Sequence, residues 1–214
     1  MFDDYLRAQA DRSGKPFVPF DMPDYLRYID GKPRADGVRS LLEARRTELP
    51  EGSPGDPAGS ETVQGLGNRK NELVLKIMED VGVEAFEGSR RYLDAVQDAG
   101  MKRAVVSAST NTPAVLEASG LAGRFDAVVD GTVALRKGLR GKPFADTFLF
   151  AARALDVDPA AAAVFEDALA GVKAGREGGF GFVVGVDRSN QAPALLAEGA
   201  HVVVKDLAEL LEDR

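Results

Sequence analysis

Short apolar runs that alternate with helix-like stretches in the second half of the chain constrain its fold more than any other feature. From residue 87 onward the runs are three to five residues long and rich in valine, and helical periodicity separates them. The predicted strands are Ala104–Val106, Ala127–Val129, Ala162–Phe165, Phe182–Val186 and Val202–Val204, and the named helices are Thr112–Ala118, Ala145–Leu155 and Ala168–Arg176. This alternation predicts an α/β fold with a parallel sheet covered on both faces. Such sheets bind ligands at the carboxyl ends of their strands.

The first part of the chain has a different pattern. Apolar residues recur at three- and four-residue spacing in four segments, Phe2–Ala10, Pro23–Ile29, Ala35–Arg46 and Asn68–Val81. The stretch Pro50–Ser60 holds three prolines and three glycines, which predicts a loop. We therefore expect a helical domain over residues 1–86 and an α/β domain over residues 87–214.

Charge and composition exclude several classes of function. The net charge of −7 and the pI near 4.9 argue against a nucleic-acid partner, because phosphate backbones require a basic surface. No apolar run is long enough to predict a membrane span. The absence of cysteine excludes disulfides, thiolate metal sites and a cysteine nucleophile. The sequence predicts a cytoplasmic protein with no membrane partner and no obligate protein partner.

The first candidate site follows the strand Ala104–Val106, where the sequence reads V-V-S-A-S-T-N. Hydroxyl groups and the backbone N–H groups of a helix start form a natural cradle for phosphate. Ser109 or Asn111 could instead be only the N-cap of the next helix.

The second and third candidate sites follow later elements. Lys142 lies in G-K-P just before a helix, where it could neutralise phosphate charge or be a solvated loop lysine. Glu166 and Asp167 come directly after an apolar strand, and a hard cation would offset the repulsion between adjacent carboxylates. Asp167 could alternatively cap the following helix. His201, the one histidine, precedes an apolar run and fits a structural role better than a catalytic one.

These motifs, in this order on successive strands, resemble the haloacid dehalogenase superfamily and, within it, the β-phosphoglucomutase-like group with a helical cap. Ser107 matches the strand-terminal Ser or Thr of the second family motif, and Lys142 matches the lysine of K-P-x-P-D-x-F. Glu166 to Gly171 match E-D-S-x-x-G. In the cap, G-K-P-R-A-D-G places Arg34, and G-N-R-K-N places Lys70, where that group keeps substrate-contacting basic residues.

The resemblance implies a role for each matching core residue. Ser107 and the N–H of Ala108 would hold the transferring phosphoryl group, and Lys142 would balance its charge. Glu166 and Asp167 would bind Mg²⁺.

A second set of matching residues implies a second phosphate site. Ser109, Asn111 and Arg34 would bind the non-transferring phosphate of a sugar bisphosphate, and Lys70 would contact the sugar phosphate. Two phosphate sites favour a mutase that acts through an aspartyl-phosphate. The alternatives are a phosphatase of small phosphate esters and a non-catalytic module that binds phosphate esters.

Three residues depart from the family pattern. Thr110 replaces a common Lys or Arg, Ala168 replaces the Ser after the acid pair, and Ala145 replaces a Pro. The loss of a cation at residue 110 bears on the second phosphate.

The family's D-x-D-G motif, which supplies the nucleophile, does not occur in the 214 residues. Asp3 and Asp4 are a poor match, because no apolar strand precedes them and no glycine follows. In the superfamily this motif ends a central strand between the strands that end here at Ser107 and Phe165. We therefore expect an interrupted sheet and a natural protein that is longer at its N-terminus.

Overall fold

The computed structural model describes residues 1–211, and the strands within them are short and parallel. They are β1 (Ala104–Val106), β2 (Ala127–Val129), β3 (Ala163–Glu166), β4 (Phe182–Val186) and β5 (Val202–Val204). Four of the five predicted strands have the predicted bounds, and β3 is shifted by one residue. The predicted α/β class with parallel strands is confirmed.

The strands form two separate sheets. One pairs β1 with β2, and the other has the order β3-β4-β5. In the first sheet Val105 is in register with Val128, and in the second Val164 is in register with Val183. β1 and β3, between which the sequence predicts an interruption, are not paired with each other.

The described residues divide into two compact units, and the helices of the first unit come early in the chain. The first unit comprises Met1–Asp30 and Arg34–Asp80, and the second comprises Gly31–Pro33 and the chain from Val81 onward. The early helices are α1 (Phe2–Ser13), α2 (Met22–Asp24) with the π-helical turn Tyr25–Ile29, α3 (Arg34–Ala44) and α4 (Val63–Val81). Helix α4 begins five residues before its predicted start at Asn68. The predicted domain boundary after residue 86 stays a prediction.

The first unit has its own apolar core. Amphipathic faces of α1, α3 and α4 supply buried residues to one cluster, which comprises Phe2, Tyr5, Leu6, Ile29, Val38, Leu41, Leu42, Val63 and Leu66. At the start of α2, Asp21 and Asp24 form a capping box. The segment from residue 50 to residue 62 contains no helix or strand, as predicted for Pro50–Ser60.

The described part of the second unit contains six helices besides its parallel strands. They are α5 (Glu87–Asp98), α6 (Thr112–Ala118), α7 (Gly131–Lys137), α8 (Asp146–Ala154), α9 (Leu169–Glu177) and α10 (Ala192–Ala197), with 3₁₀ turns at Pro159–Ala161 and Leu207–Leu210. Val164, Val172, Val183 and Leu195 belong to its largest buried cluster. At Gly175 a Cβ atom would lie 3.1 Å from a Val164 methyl, so this glycine allows α9 to approach β3 closely.

Helix α7 was not among the predicted helices, although its end signals are present. Asp130 accepts a hydrogen bond from the N–H of Val133, Arg136 and Lys137 lie in the last turn, and Gly138 ends the helix in the left-handed conformation. The apolar residues of the helix, Val133, Ala134 and Leu135, are consecutive rather than three or four apart, so no helical periodicity reveals it. None of the helices in residues 1–211 is long and apolar enough to cross a membrane.

Truncation of one leucine in each core tests whether both clusters stabilise the protein. Leu41 and Leu195 are at most 1% exposed, so Leu41→Ala and Leu195→Ala should each lower the free energy of unfolding by about 2–5 kcal/mol. Leu135→Ala, at a residue that is 80% exposed, is the matched control and should change it by less than about 0.5 kcal/mol. Urea denaturation measures all three, and a core substitution as mild as the control would contradict the assignment.

Candidate active site

The turn from Ser107 to Asn111 at the carboxyl end of β1 is held by its own hydroxyl groups. The N–H of Ser107 donates to the carbonyl of Val129 at 2.9 Å. The N–H of Ser109 donates to Ser107 Oγ, and the N–H of Asn111 donates to Ser109 Oγ, each at 3.1 Å. Because both hydroxyls serve as acceptors in these bonds, their O–H groups can donate to an anion.

Residues outside the turn fix its backbone. The N–H of Gly131 donates to the carbonyl of Ser109 at 3.0 Å, and Thr112 Oγ1 donates to the same carbonyl at 2.9 Å. A Cβ atom at Gly131 would lie 2.7 Å from the carbonyl oxygen of Ala108, so a side chain there would displace the turn. Asn111 occupies the N-cap position of α6, but its side chain makes no capping hydrogen bond.

Lys142 is buried, so its interpretation as a solvated loop lysine is wrong. Its side chain is 7% exposed and forms an ion pair with Glu166. Lys142 Nζ also lies 3.4 Å from the carbonyl oxygen of Val106 and 5.0 Å from the ring centroid of Phe148. One ammonium group thus joins the ends of β1 and β3.

The loop that carries Lys142 is anchored to α8. Arg140 Nε and Nη2 donate to the two carboxylate oxygens of Asp146 at 3.0 and 2.8 Å. The same guanidinium lies 4.2 Å from the ring centroid of Phe144. Hydrogen bonding to Arg140 lowers the pKa of Asp146 below its ordinary value, so Asp146 keeps its charge to a lower pH than an ordinary aspartate.

The two adjacent carboxylates have different surroundings. Glu166 is buried, and its Oε2 accepts a hydrogen bond from the N–H of Ala168 at 3.2 Å. The absence of a side chain at Gly171 leaves room for this carboxylate, because a Cβ atom there would lie only 2.1 Å from the carboxylate carbon. Asp167 is exposed, and Ala168 rather than Asp167 occupies the N-cap of α9.

This pair of carboxylates fits part of a magnesium site. Within residues 1–211 no group of three or more His, Cys, Asp or Glu side chains could hold a metal ion. Mg²⁺ tolerates such a sparse set, because it is often held by one or two carboxylates, several waters and substrate phosphate oxygens. Since Glu166 is buried and Asp167 is exposed, Asp167 is the carboxylate more accessible to a cation.

A second cluster of predicted residues lies in the first unit. Arg34 begins α3, and its Nη1 donates to Asn68 Oδ1 on α4 at 3.2 Å. Burial lowers the pKa of Arg34. Burial also lowers the pKa of Lys70, repulsion from Arg34 lowers it further, and Asp30 opposes both effects. Two partly desolvated cations that repel each other favour the binding of an anion.

The predicted site residues therefore fall into two groups, one in each unit. The second unit holds Ser107, Ala108, Ser109, Asn111, Lys142, Glu166 and Asp167, and the first unit holds Arg34 and Lys70. Three supporting residues were missed as such, namely Asn68, Gly131 and Gly171. Gly171 could have been found from the sequence, because it is the glycine of the E-D-S-x-x-G motif. The contacts of Asn68 and Gly131 join segments whose proximity the sequence does not predict.

Three other polar residues have structural roles. His201 Nδ1 accepts a hydrogen bond from the N–H of Val183 at 2.9 Å, and its ring stacks on Phe182. Asp3 accepts a hydrogen bond from the N–H of Phe20, and Asp4 pairs with the N-terminal amine. Both acids lie in the first turn of α1, where a negative charge is favourable to the helix dipole.

Comparisons with known proteins place this chain among haloacid dehalogenase-like hydrolases. A family model described as haloacid dehalogenase-like hydrolase matches residues 28–179. Beta-phosphoglucomutase of Mycobacterium bovis is 54% identical over 215 residues, which cover 99% of this chain and 82% of the relative. Phosphorylated carbohydrates phosphatase of Thermotoga maritima is 28% identical over 207 residues, 95% of this chain and 86% of the relative. A crystal structure of beta-phosphoglucomutase from Clostridium difficile shares the fold, with a TM-score of 0.71 at 24% identity over 98% of this chain and 86% of that one.

The buried ion pair can be tested by removing its members singly and together. Glu166→Gln and Lys142→Met each leave one buried charge without its partner, so each should lower the free energy of unfolding by about 3–5 kcal/mol. The double variant Lys142→Met/Glu166→Gln should be more stable than either single variant, since it buries neither charge.

Lys173→Met provides the control for this pair. Lys173 and Glu177 form an exposed pair at 3.9 Å, whose loss should cost less than about 1 kcal/mol. Urea denaturation at neutral pH compares the variants. Single substitutions at residues 142 and 166 that cost no more than the control would refute the buried pairing.

Proposed function

Because the chain belongs to the haloacid dehalogenase-like hydrolase family, we propose that it catalyses phosphoryl transfer on a sugar phosphate, in the manner of a β-phosphoglucomutase. The observation that carries this proposal is the pair Arg34 and Lys70, a cationic cluster additional to the one around Ser107 and Lys142. A mutase must bind two phosphates, whereas hydrolysis of a simple ester requires one. The identity of 54% to a beta-phosphoglucomutase supports the same choice.

The second unit would bind the phosphoryl group that is transferred. The hydroxyl of Ser107 and the N–H of Ala108 would donate to its oxygens, and Lys142 would offset its negative charge. The pairing of Lys142 with Glu166 fixes the ammonium group before substrate arrives. Preorganised donors of this kind stabilise charge without rearrangement during the reaction.

The proposed cofactor of the enzyme is Mg²⁺. Asp167 would contact it directly, and Glu166 would help to orient it while keeping the contact to Lys142. When bound, Mg²⁺ would neutralise phosphoryl oxygens and draw electron density from phosphorus.

The first unit would bind the phosphate that is not transferred. Arg34 can form two parallel hydrogen bonds to phosphate oxygens, and Lys70 adds a second positive charge. In the proposal Ser109 and Asn111, in the second unit, also donate hydrogen bonds to phosphate oxygens. Thr110 cannot supply the cation common at its position, so Arg34 and Lys70 carry more of the charge balance.

A phosphatase is the second candidate function. The Thermotoga maritima relative is named as a phosphatase of phosphorylated carbohydrates, and the neutral Thr110 weakens one phosphate contact expected of a mutase. A module that binds phosphate esters without turnover is the third, because the 214 residues contain no D-x-D-G motif.

Product analysis separates the three functions. The protein is incubated with β-glucose 1-phosphate, glucose 1,6-bisphosphate and Mg²⁺, and the products are followed by ³¹P NMR. Glucose 6-phosphate indicates a mutase, and inorganic phosphate indicates a phosphatase. In a protein whose natural N-terminus has been established from the genomic sequence, binding without either product indicates a module, and a protein that neither binds nor converts the ester refutes all three.

Arg34→Ala tests the role of the second cluster in this reaction. It should lower the kcat/KM of the sugar-phosphate reaction about 10- to 100-fold, because it removes charged hydrogen bonds to phosphate. Hydrolysis of p-nitrophenyl phosphate, which has one phosphate, should change far less. Arg12→Ala, which removes an exposed arginine paired with Glu61, is the control. Equal losses with both substrates would contradict the role of Arg34.

The pKa of Lys70 predicts a pH dependence of binding. Since that pKa is below 10.5, Lys70 begins to lose its charge at a lower pH than an ordinary lysine. A bound phosphate should raise the pKa again, so binding takes up a proton and affinity falls as the pH rises through the lowered value. Titration calorimetry of glucose 6-phosphate between pH 7 and pH 10 measures this. Lys70→Arg should flatten the profile, and an unchanged profile would exclude Lys70 as its source.

A further inference from the structure

The side chain of Asn68 uses both ends of its amide in the first unit. Asn68 Oδ1 accepts the hydrogen bond from Arg34 Nη1 at 3.2 Å. Asn68 Nδ2 donates to the carbonyl of Pro54 at 3.0 Å and to the carbonyl of Asp56 at 2.8 Å. The amide therefore connects Arg34 to the loop that precedes α4.

These partners determine which way the amide points. Two carbonyl oxygens can be satisfied only by the NH₂ side, so the amide oxygen must face the guanidinium. Gly67 locates the stem of the same arginine, because a Cβ atom there would lie 3.3 Å from Arg34 Cγ and 3.4 Å from Cδ. Two consecutive residues of α4 thus position Arg34 along its length.

The loop that holds Asn68 is itself fixed by polar contacts. Thr62 Oγ1 donates to Asp56 Oδ2 at 2.6 Å and accepts from the N–H of Gly65 at 2.9 Å. Gly52 has φ of +75°, and a Cβ atom there would lie 2.2 Å from Asp56 Oδ2. The N–H of Val63 donates to the carbonyl of Pro50 at 3.0 Å. The carbonyls that orient Asn68 are therefore held in place by the start of α4.

We propose that Asn68 is a positioning residue, which holds the Arg34 guanidinium in the orientation that binds the non-transferring phosphate of the substrate. This inference rests on the proposed function. An arginine side chain that is oriented before binding loses less rotamer freedom when phosphate arrives. An amide suits this role better than a carboxylate, because it accepts the hydrogen bond without adding a negative charge that would compete with phosphate.

A double-mutant cycle in binding tests the proposal. Glucose 6-phosphate is titrated into the wild type, Asn68→Ala, Arg34→Ala and the double variant by calorimetry. Asn68→Ala should weaken binding about five- to tenfold. In the Arg34→Ala background the same change should have almost no effect, because the group that Asn68 positions is gone. A merely structural role would lower the thermal unfolding midpoint and would weaken binding equally in both backgrounds.

Two further variants make the result decisive. Gln64→Ala removes an exposed amide on the same helix that contacts Glu51 of the same loop, and it should leave affinity unchanged. Asn68→Asp keeps the shape of the side chain but places a carboxylate beside Arg34. Because the carboxylate also repels phosphate directly, it should weaken binding in both backgrounds, but more where Arg34 is present. It replaces Asn68→Ala in the cycle should that variant fail to fold.

The outcomes separate this proposal from the proposed function. Unchanged affinity in Asn68→Ala, with a clear loss in Arg34→Ala, overturns the role of Asn68 and leaves that of Arg34 intact. Equal effects of the Asn68 change in both backgrounds also overturn it. Unchanged affinity in Arg34→Ala overturns both roles.

Discussion

The buried ion pair between Lys142 and Glu166 is the interaction on which the rest of the second unit depends. It lies where the two sheets end, and Lys142 also contacts the carbonyl of Val106. Arg140 and Asp146 anchor the loop on one side, and Gly171 leaves room for the carboxylate on the other. Loss of either partner of a buried pair is costly, although the intact pair adds little net stability. The pair therefore serves mainly to fix these elements relative to each other.

Much of this fold is predictable from local sequence, because short valine-rich strands between glycine-rich turns leave few alternatives. The strands Ala104–Val106, Ala127–Val129, Phe182–Val186 and Val202–Val204 have their predicted bounds. Helix α7 was missed because its apolar residues are consecutive and show no helical periodicity, although Asp130 and Gly138 mark its ends. The early start of α4 was missed because the glycines at residues 65 and 67 obscure a helical pattern.

The candidate site is predictable to a different degree in each unit. In the second unit the motifs lie at strand ends, and parallel topology alone brings strand ends together, so sequence order was informative. Burial of Lys142 could not be predicted, because a lysine beside Gly141 and Pro143 has the composition of a solvated loop. Asn68 could not be predicted either, since its role depends on the three-dimensional path of a loop that has no periodicity.

The division into two sheets has a consequence for the exchange of backbone amide hydrogens with solvent. Among the described strands, β4 alone has a strand partner on both edges, while β1 and β3 each have a strand on one edge only. Exchange from paired amides requires opening of the pairing, whereas N–H groups on an edge without a strand can exchange through smaller fluctuations. In the described part of the second unit, the exchange rate of the β4 amides should therefore report global unfolding. The exchange rates of amides on the unpaired edges of β1 and β3 should report local opening beside Lys142.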